Sequence, residues 1–183
     1  AFHIEQAGRI IPGTFNYYAA SADARHYLPI AKERFVLASR LQAGNIRPVG
    51  DAQANVPFSK RYFLGGATTI RGWGRYEVSP LSESGQPVGG DAMLAFSGEL
   101  RAMLHGNLGG VLFLDGGNVW AESLGYNLGD LRYSIGPGLR YQTPIGPIRF
   151  DVGWQLNPIP GLQVNGEPQT RRWRLHFSIG QAF

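Results

Sequence analysis

The chain has 183 residues, the length of one domain, and it contains no cysteine and no apolar run as long as a membrane-spanning helix. The lack of cysteine excludes a disulfide framework and cysteine-based metal sites. Seventeen basic and 13 acidic residues give a net charge of +4, but the arginines are spread singly, so the sequence does not predict nucleic acid as a partner.

Apolar and polar residues alternate along most of the chain, and this pattern predicts β-strands. Eight strands are expected, at about 1–9, 14–31, 34–46, 91–104, 109–120, 130–143, 147–158 and 171–183. Most reach the roughly 10 residues that a strand needs to cross a bilayer at a tilt, whereas soluble strands average about 5–6 residues. The predicted fold class is therefore all-β, an antiparallel transmembrane β-barrel that occupies residues 1–183 as one domain.

One face of each predicted strand is apolar and aromatic, and the other carries charges and glycines. Leu94 and Leu100, for example, alternate with Ser97 and Glu99. Aromatic residues near strand ends are typical of the girdles at the two membrane interfaces. These residues are Trp73, Trp120, Tyr141, Trp173 and Phe183. The alternative is a soluble β-sandwich or lipocalin-like barrel, in which the apolar face is the core and the arginine-bearing face is solvated.

The connections alternate in length, except that the first, around 11–13, breaks the rule. Short turns are expected at 32–33, 105–108 and 143–147, and longer connections at 47–90, 121–129 and 159–170. Outer-membrane barrels have short periplasmic turns and long extracellular loops. We therefore expect the C-terminus on the periplasmic side, and we expect the connection 47–90, here called the motif loop, to start outside the cell.

The motif loop contains the run Arg61-Tyr-Phe-Leu-Gly-Gly-Ala-Thr-Thr-Ile-Arg71-Gly-Trp73. This run closely resembles the motif of the BamA/TamA family of outer-membrane assembly factors, also called the bacterial surface-antigen family. In that family an aromatic residue, a Gly-Gly pair and a short spacer precede Arg-Gly-aromatic. Later segments resemble later strands of the family in the same order, namely 96–101, 111–120, 136–140, 143–151 and 177–183.

The resemblance implies that the motif loop folds back into the barrel and that its arginine meets an acid on each of the next two strands. The matching residues are Arg71, Glu99 and Asp115. Their chemistry fits this arrangement, because an acid facing lipid is costly and a guanidinium can bind two carboxylates through forked hydrogen bonds. Glycines allow tight turns close to the barrel wall. The glycines of the motif are Gly65, Gly66 and Gly72.

The last segment resembles the C-terminal signal by which bacterial barrels are recognised for assembly. It ends in a phenylalanine and has an apolar residue at every second position. The residues concerned are Trp173, Leu175, Phe177, Ile179 and Phe183.

The resemblance implies a bacterial outer-membrane protein that inserts β-barrel substrates or secretes autotransporter-like partners, in contact with outer-membrane lipid and unfolded substrate chains. No enzyme, cofactor or metal site is expected, since the four histidines are far apart in sequence and no nucleophile or phosphate motif is present. Two alternatives stay open: a passive small outer-membrane barrel, and the carrier barrel of a fused lipase-like passenger.

The family barrel has sixteen strands, so the resemblance implies that the eight strands expected here are its second half. If eight strands close on themselves, their lumen is filled by side chains, and the motif loop must stay outside with the Arg71 cluster broken. Two copies could instead pair into sixteen strands. An isolated open sheet would leave two unpaired edges in lipid.

Overall fold

The computed structural model describes residues 1–8, 14–31, 34–50 and 56–180. Eight antiparallel strands form one sheet in which sequence neighbours pair. The strands of this sheet are β1 (Phe2–Ala7), β2 (Tyr17–Ile30), β3 (Phe35–Pro48), β4 (Ala92–His105), β5 (Leu108–Trp120), β6 (Arg132–Tyr141), β7 (Ile148–Gln155) and β10 (Trp173–Ile179). A short hairpin, β8 (Gln163–Val164) and β9 (Glu167–Pro168), lies in the connection between β7 and β10.

The described helical structure consists of two short 3-10 turns, Phe58–Lys60 and Leu128–Asp130. Within the described ranges, no helix has both the length and the apolar character needed to cross a membrane.

The predicted all-β antiparallel fold is confirmed, with the eight strands expected from the sequence. Their bounds differ at the ends, since β7 ends at Gln155 rather than near 158, and β10 begins at Trp173 rather than near 171. The hairpin β8–β9 was not predicted, because two-residue strands are too short to show an alternating pattern. The predicted turn at 32–33 and the terminal Phe183 lie outside the described residues.

The two faces of the sheet have opposite character. The face called inner here carries buried polar residues, among them Glu99 and Asp115, both with no exposed surface. The opposite, outer face carries exposed apolar side chains on most strands. They include Leu37, Leu41, Leu100, Leu112, Leu114, Ile135, Leu139, Phe150, Trp154, Leu175 and Phe177. A soluble sheet would bury the apolar face, so this arrangement is that of a lipid-facing barrel wall and excludes the soluble alternative.

Only part of the predicted aromatic girdle is present. Tyr141 and Trp173 are exposed near strand ends, as expected for interfacial aromatics. The prediction is wrong for Trp73, which is fully buried in the motif loop, because the loop turns inward rather than lying along the membrane interface. Trp120 is also covered, since Leu131 packs against it and the ring of Tyr126 lies edge-on at 5.3 Å between centroids.

The motif loop packs on the inner face of the sheet and forms the main hydrophobic core with it. Its buried residues Leu64, Ile70 and Trp73 contact Ala95 of β4 and Val119 of β5. The inner face therefore has a solid protein layer on it rather than an empty lumen.

The sheet is open in the described residues, because β1 and β10 lie at its two edges and do not pair with each other. The eight strands thus do not close on themselves, and the motif loop does not stay outside. The expectation for a closed eight-stranded barrel does not apply, since the open sheet leaves its inner face free for the loop.

We predict that Leu114→Arg, at the centre of β5 on the outer face, lowers the unfolding free energy in lipid vesicles by about 2–4 kcal/mol, the cost of a cation facing the bilayer midplane. Leu128→Arg is the matched control, because Leu128 is exposed in a connection rather than on a strand. Its effect should stay within about 0.5 kcal/mol. Urea unfolding followed by tryptophan fluorescence measures both variants, and equal effects would contradict the lipid-facing assignment.

Candidate functional site

The predicted motif residues come together on the inner face because the motif loop turns sharply. Leu64 pairs with Val78 across the turn, and the N–H of Gly66 donates to the carbonyl oxygen of Trp73 at 3.2 Å. Gly65 has a φ of 105°, and a Cβ at this position would lie 2.3 Å from the carbonyl oxygen of Gly74. Only glycine fits this turn, which directs Arg71 toward β4 and β5.

The side chain of Arg71 is bound by both predicted acids. Its Nε and Nη2 donate to the two carboxylate oxygens of Asp115, each at 2.7 Å, in a forked pair. Its Nη1 donates to Oε1 of Glu99 at 2.6 Å, and its Nη2 also donates to Oγ of Ser97 at 3.2 Å. The backbone N–H of Arg71 donates to Asp115 as well, at 3.0 Å. The structure therefore brings Arg71, Glu99 and Asp115 into direct contact.

The ring of Phe113 and the surrounding negative charges keep the Arg71 guanidinium charged. It lies over the ring of Phe113, with its central carbon 3.5 Å from the ring centroid. Burial alone would lower the pKa of Arg71, but the hydrogen bonds and negative charge of Asp115, together with Glu99 and Asp151, raise that pKa above its ordinary value. Arg71 is thus a permanent cation in a site where only 2% of its side chain is exposed.

The Arg71 contacts belong to a larger set of buried charges. We define the charged cluster as three arginines and three acids of the inner face and motif loop: Arg71, Arg140, Arg149, Glu99, Asp115 and Asp151. Asp151 of β7 accepts hydrogen bonds from Arg140 at 2.6 Å and from Arg149 at 3.0 Å. The formal charges of the cluster cancel, which is the condition for burying so many charges without a large desolvation penalty.

The backbone of Gly72 lies against β7 and β10. Its N–H donates to Nε2 of His176 at 2.9 Å, and its carbonyl oxygen accepts from Nε2 of Gln155 at 2.8 Å. A Cβ at Gly153 of β7 would lie 2.5 Å from the Gly72 nitrogen, so a side chain there would push the loop away. Gly153, Gln155 and His176 thus form a cradle for the Gly72 peptide.

Other contacts bind the motif loop to strands on both sides of the charged cluster. Arg40 of β3 donates to the carbonyl oxygen of Thr68 at 3.1 Å, and Arg149 of β7 donates to that of Ala67 at 3.2 Å. Tyr62 packs close to Gly44 of β3, and burial raises the pKa of its phenol to about 12. The loop therefore makes contacts across the sheet, from β3 to β10.

The predicted C-terminal signal lies on the outer face of β10 as far as it is described. Leu175, Phe177 and Ile179 are exposed there, and Phe177 packs against Phe150 of β7 with 5.0 Å between ring centroids. Phe183 lies outside the described residues. The role of these residues in assembly stays a prediction.

Sequence reasoning missed the polar residues of β6, β7 and β10 that complete the site. They are Arg140, Arg149, Asp151, Gln155 and His176. The alternating pattern places these residues on the polar face of their strands, but it does not identify them as partners of the loop or of its acids. The available signal was their position in the middle of strands predicted to span lipid, where a charge needs a partner. In the described ranges, no group of three or more histidines and acids is arranged to hold a metal ion.

Comparisons with known proteins agree on one family. The Omp85 superfamily domain matches residues 1–183. The chain is 31% identical over 183 residues to the outer membrane protein assembly factor BamA of Nitratidesulfovibrio vulgaris, covering 98% of this chain and 22% of that protein. It is 32% identical over 143 residues to the sorting and assembly machinery component 50 homolog A of Xenopus laevis, covering 71% of this chain and 28% of that protein.

Among solved structures, the fold is similar to the crystal structure of BamA from Haemophilus ducreyi lacking POTRA domains 1–3. The TM-score is 0.69 at 22% identity, covering 87% of this chain and 34% of that chain. This likeness concerns the fold. The chain spans about a quarter of the length of the curated relatives, at 22% and 28%. These proteins are named for assembly rather than for an enzymatic activity, in agreement with the prediction that the chain is not an enzyme.

We predict that Arg71→Ala lowers the unfolding free energy by about 3–5 kcal/mol, because it leaves Asp115 buried without its cation. Arg71→Lys should recover only part of this loss, since an ammonium group cannot form the forked pair. Urea unfolding in lipid vesicles measures both. Arg75→Ala is the control, because Arg75 is exposed in the same loop and stacks on the neighbouring Tyr76. A loss for Arg71→Ala no larger than that of the control would contradict the structural role of the pair.

Proposed function

The chain belongs to the Omp85 superfamily, and from this premise we propose that it is the barrel portion of an outer-membrane protein assembly factor. In this role it assists the insertion of unfolded β-barrel proteins, or the secretion of autotransporter substrates, in the bacterial outer membrane. Its partners are outer-membrane lipid and the unfolded substrate chain, and the role needs no cofactor and no covalent step.

The observation that carries the proposal is the docking of the motif loop through Arg71. A passive pore needs an open lumen, whereas here the loop covers the inner face and is bound there by Asp115 and Glu99. The motif loop is attached to several strands and so fixes the shape of the sheet. This suits a protein whose sheet must stay folded while an edge strand pairs with a substrate chain. The carrier-barrel alternative is favoured by no feature of the described residues.

The proposed orientation places the C-terminus on the periplasmic side. The turn between β4 and β5 is short, since His105 pairs with Leu108, and the connection between β6 and β7 is 142–147. The connections at the opposite end of the sheet are longer, and they include the motif loop. Short turns on the periplasmic side and long loops outside are the usual pattern of outer-membrane barrels.

The open edges need partners in a membrane. Backbone N–H and C=O groups on the free sides of β1 and β10 have no water to bind in the bilayer core, so each unpaired group is costly. We propose that further strands pair with both edges, as in a sixteen-stranded barrel. In a preparation of residues 1–183 alone, a second copy is the available source of those strands.

We predict that the folded 183-residue polypeptide leaves detergent micelles as two copies of its 20.0 kDa chain, because only paired edges satisfy the backbone. Native mass spectrometry measures the copy number. A folded single copy that keeps β1 and β10 unpaired, as judged by rapid amide exchange on both strands, would contradict the pairing of edges.

We predict that Arg71→Ala in the full-length, vesicle-reconstituted protein reduces assisted insertion of an unfolded β-barrel substrate to the rate seen with empty vesicles. The reason is that the loop loses its charged attachment to β4 and β5. The measurement is the rate at which the substrate gains a heat-modifiable band on a gel, normalised to the amount of folded protein. Arg75→Ala should insert substrate at the wild-type rate. Wild-type protein that does no better than empty vesicles would refute the proposed function itself.

A further inference from the structure

The last strand of the sheet is held on its inner side by the motif loop. In the described residues β10 has one strand neighbour, β7, to which it is paired at seven positions from Trp173 to Ile179. Two inner-face residues of β10 contact the loop: His176 accepts from the N–H of Gly72, and Arg174 donates to Oε1 of Glu77. The edge strand is therefore attached to the sheet twice, by backbone pairing and through the loop.

The contact with Glu77 belongs to the same turn of the loop. Glu77 is buried, and its Oε2 accepts from the N–H of Gly74 at 2.7 Å. The segment 72–77 thus presents one backbone donor and one carboxylate to β10. The contact between Arg174 and Glu77 joins a guanidinium to a carboxylate. The contact with His176 is different, because imidazole can change its protonation state.

The hydrogen bond from Gly72 requires a neutral His176. A backbone N–H can only donate, so Nε2 must be unprotonated and the imidazole proton must be on Nδ1. When Nε2 gains a proton, the ring has no acceptor left, and two N–H groups face each other at the distance of the former bond. The contact is then lost or repulsive.

The charges around His176 do not offer a replacement partner for an imidazolium. Asp151 lies directly opposite on β7, but it already accepts from Arg140 and Arg149. Asp115 of β5 also faces the site, but Arg71 and Ser97 occupy its oxygens. The other charged groups that act on it among the described residues are cations, Arg71 in the loop and Arg174 on the same strand.

We propose that His176 is a positioning residue that holds β10 to the motif loop through Gly72, and that protonation of its imidazole releases this hold. This inference deepens the proposed function, since β10 is an edge at which a further strand would pair. It applies to the attachment of the strand and can be measured without any assembly activity.

The test is amide hydrogen exchange of residues 173–179 in the full-length protein in lipid nanodiscs, at about pH 8 and about pH 4.5. The lower value lies well below the usual histidine range, because the partly buried ring lies near the cations Arg71 and Arg174. Protection factors are corrected for the intrinsic pH dependence of exchange, and β5 serves as the internal reference. The wild-type strand is expected to lose about tenfold in protection on acidification, the effect of one buried hydrogen bond.

Two variants separate the hydrogen bond from packing. His176→Gln keeps an acceptor that does not titrate, so β10 should stay protected at both pH values. His176→Leu fills similar space without an acceptor, so protection should be about tenfold lower at both pH values. His105→Gln is the matched control, because His105 is exposed at the end of β4. It should respond to pH as the wild type does.

Three results would overturn the inference: a His176→Leu variant as protected as wild type at pH 8, a His176→Gln variant no better than His176→Leu, or wild-type protection that does not respond to pH. Unchanged exchange in β5 excludes general unfolding as the cause. If these exchange results follow expectation while wild-type protein inserts no substrate, the positioning role stands and the proposed function fails. If Arg71-dependent insertion is found but the amide protection of β10 does not change in the His176 variants, the inference alone fails.

Discussion

A buried charge must have a matching charge and satisfied hydrogen bonds, and this constraint fixes the position of the motif loop. Asp115 lies fully buried on β5, and among the described residues Arg71 is the cation that hydrogen-bonds to it. Because Arg71 is not on the sheet, the loop must return to the inner face to supply it. The core around Trp73 and the cradle of the Gly72 peptide follow from that return. The loop is thus positioned by the acids of the wall that it covers.

Much of the sheet could be predicted because a membrane-spanning strand alternates apolar residues on its outer face with polar residues on its inner face. On β4 the buried Glu99 is followed by the exposed Leu100, and on β5 the exposed Leu114 is followed by the buried Asp115. The alternation along each strand assigns each residue to its face. The pairing of Arg71 with the two acids could be predicted only through the family motif, since 28 and 44 residues separate it from Glu99 and Asp115. Membership of that family is confirmed by the match over the whole chain.

The remaining features left no signal in the pattern for physical reasons. Gln155 and His176 bind the main chain of Gly72, and a peptide group looks the same at every position of a sequence. Trp73 was misassigned to a girdle because an aromatic residue suits an interface and a buried core equally well. Only the loop's inward turn distinguishes the two. The open sheet likewise depends on strands that pair with its edges, which the pattern inside 183 residues does not determine.

The sequence separations of the contacts have a consequence for the order of folding. The strands pair with sequence neighbours, so the sheet can grow one strand at a time, and the motif loop between β3 and β4 is the longest loop to close. The contact between Gly72 and His176 spans 104 residues, and that between Gly72 and Gln155 spans 83. The contact with Gln155 can form only after β7 has been added, and the contact with His176 only after β10 has been added. Arg71 is 44 residues from Asp115, so that ion pair can form as soon as β5 is in place. The contacts of the Gly72 peptide with β7 and β10 are therefore the last attachments of the motif loop to form.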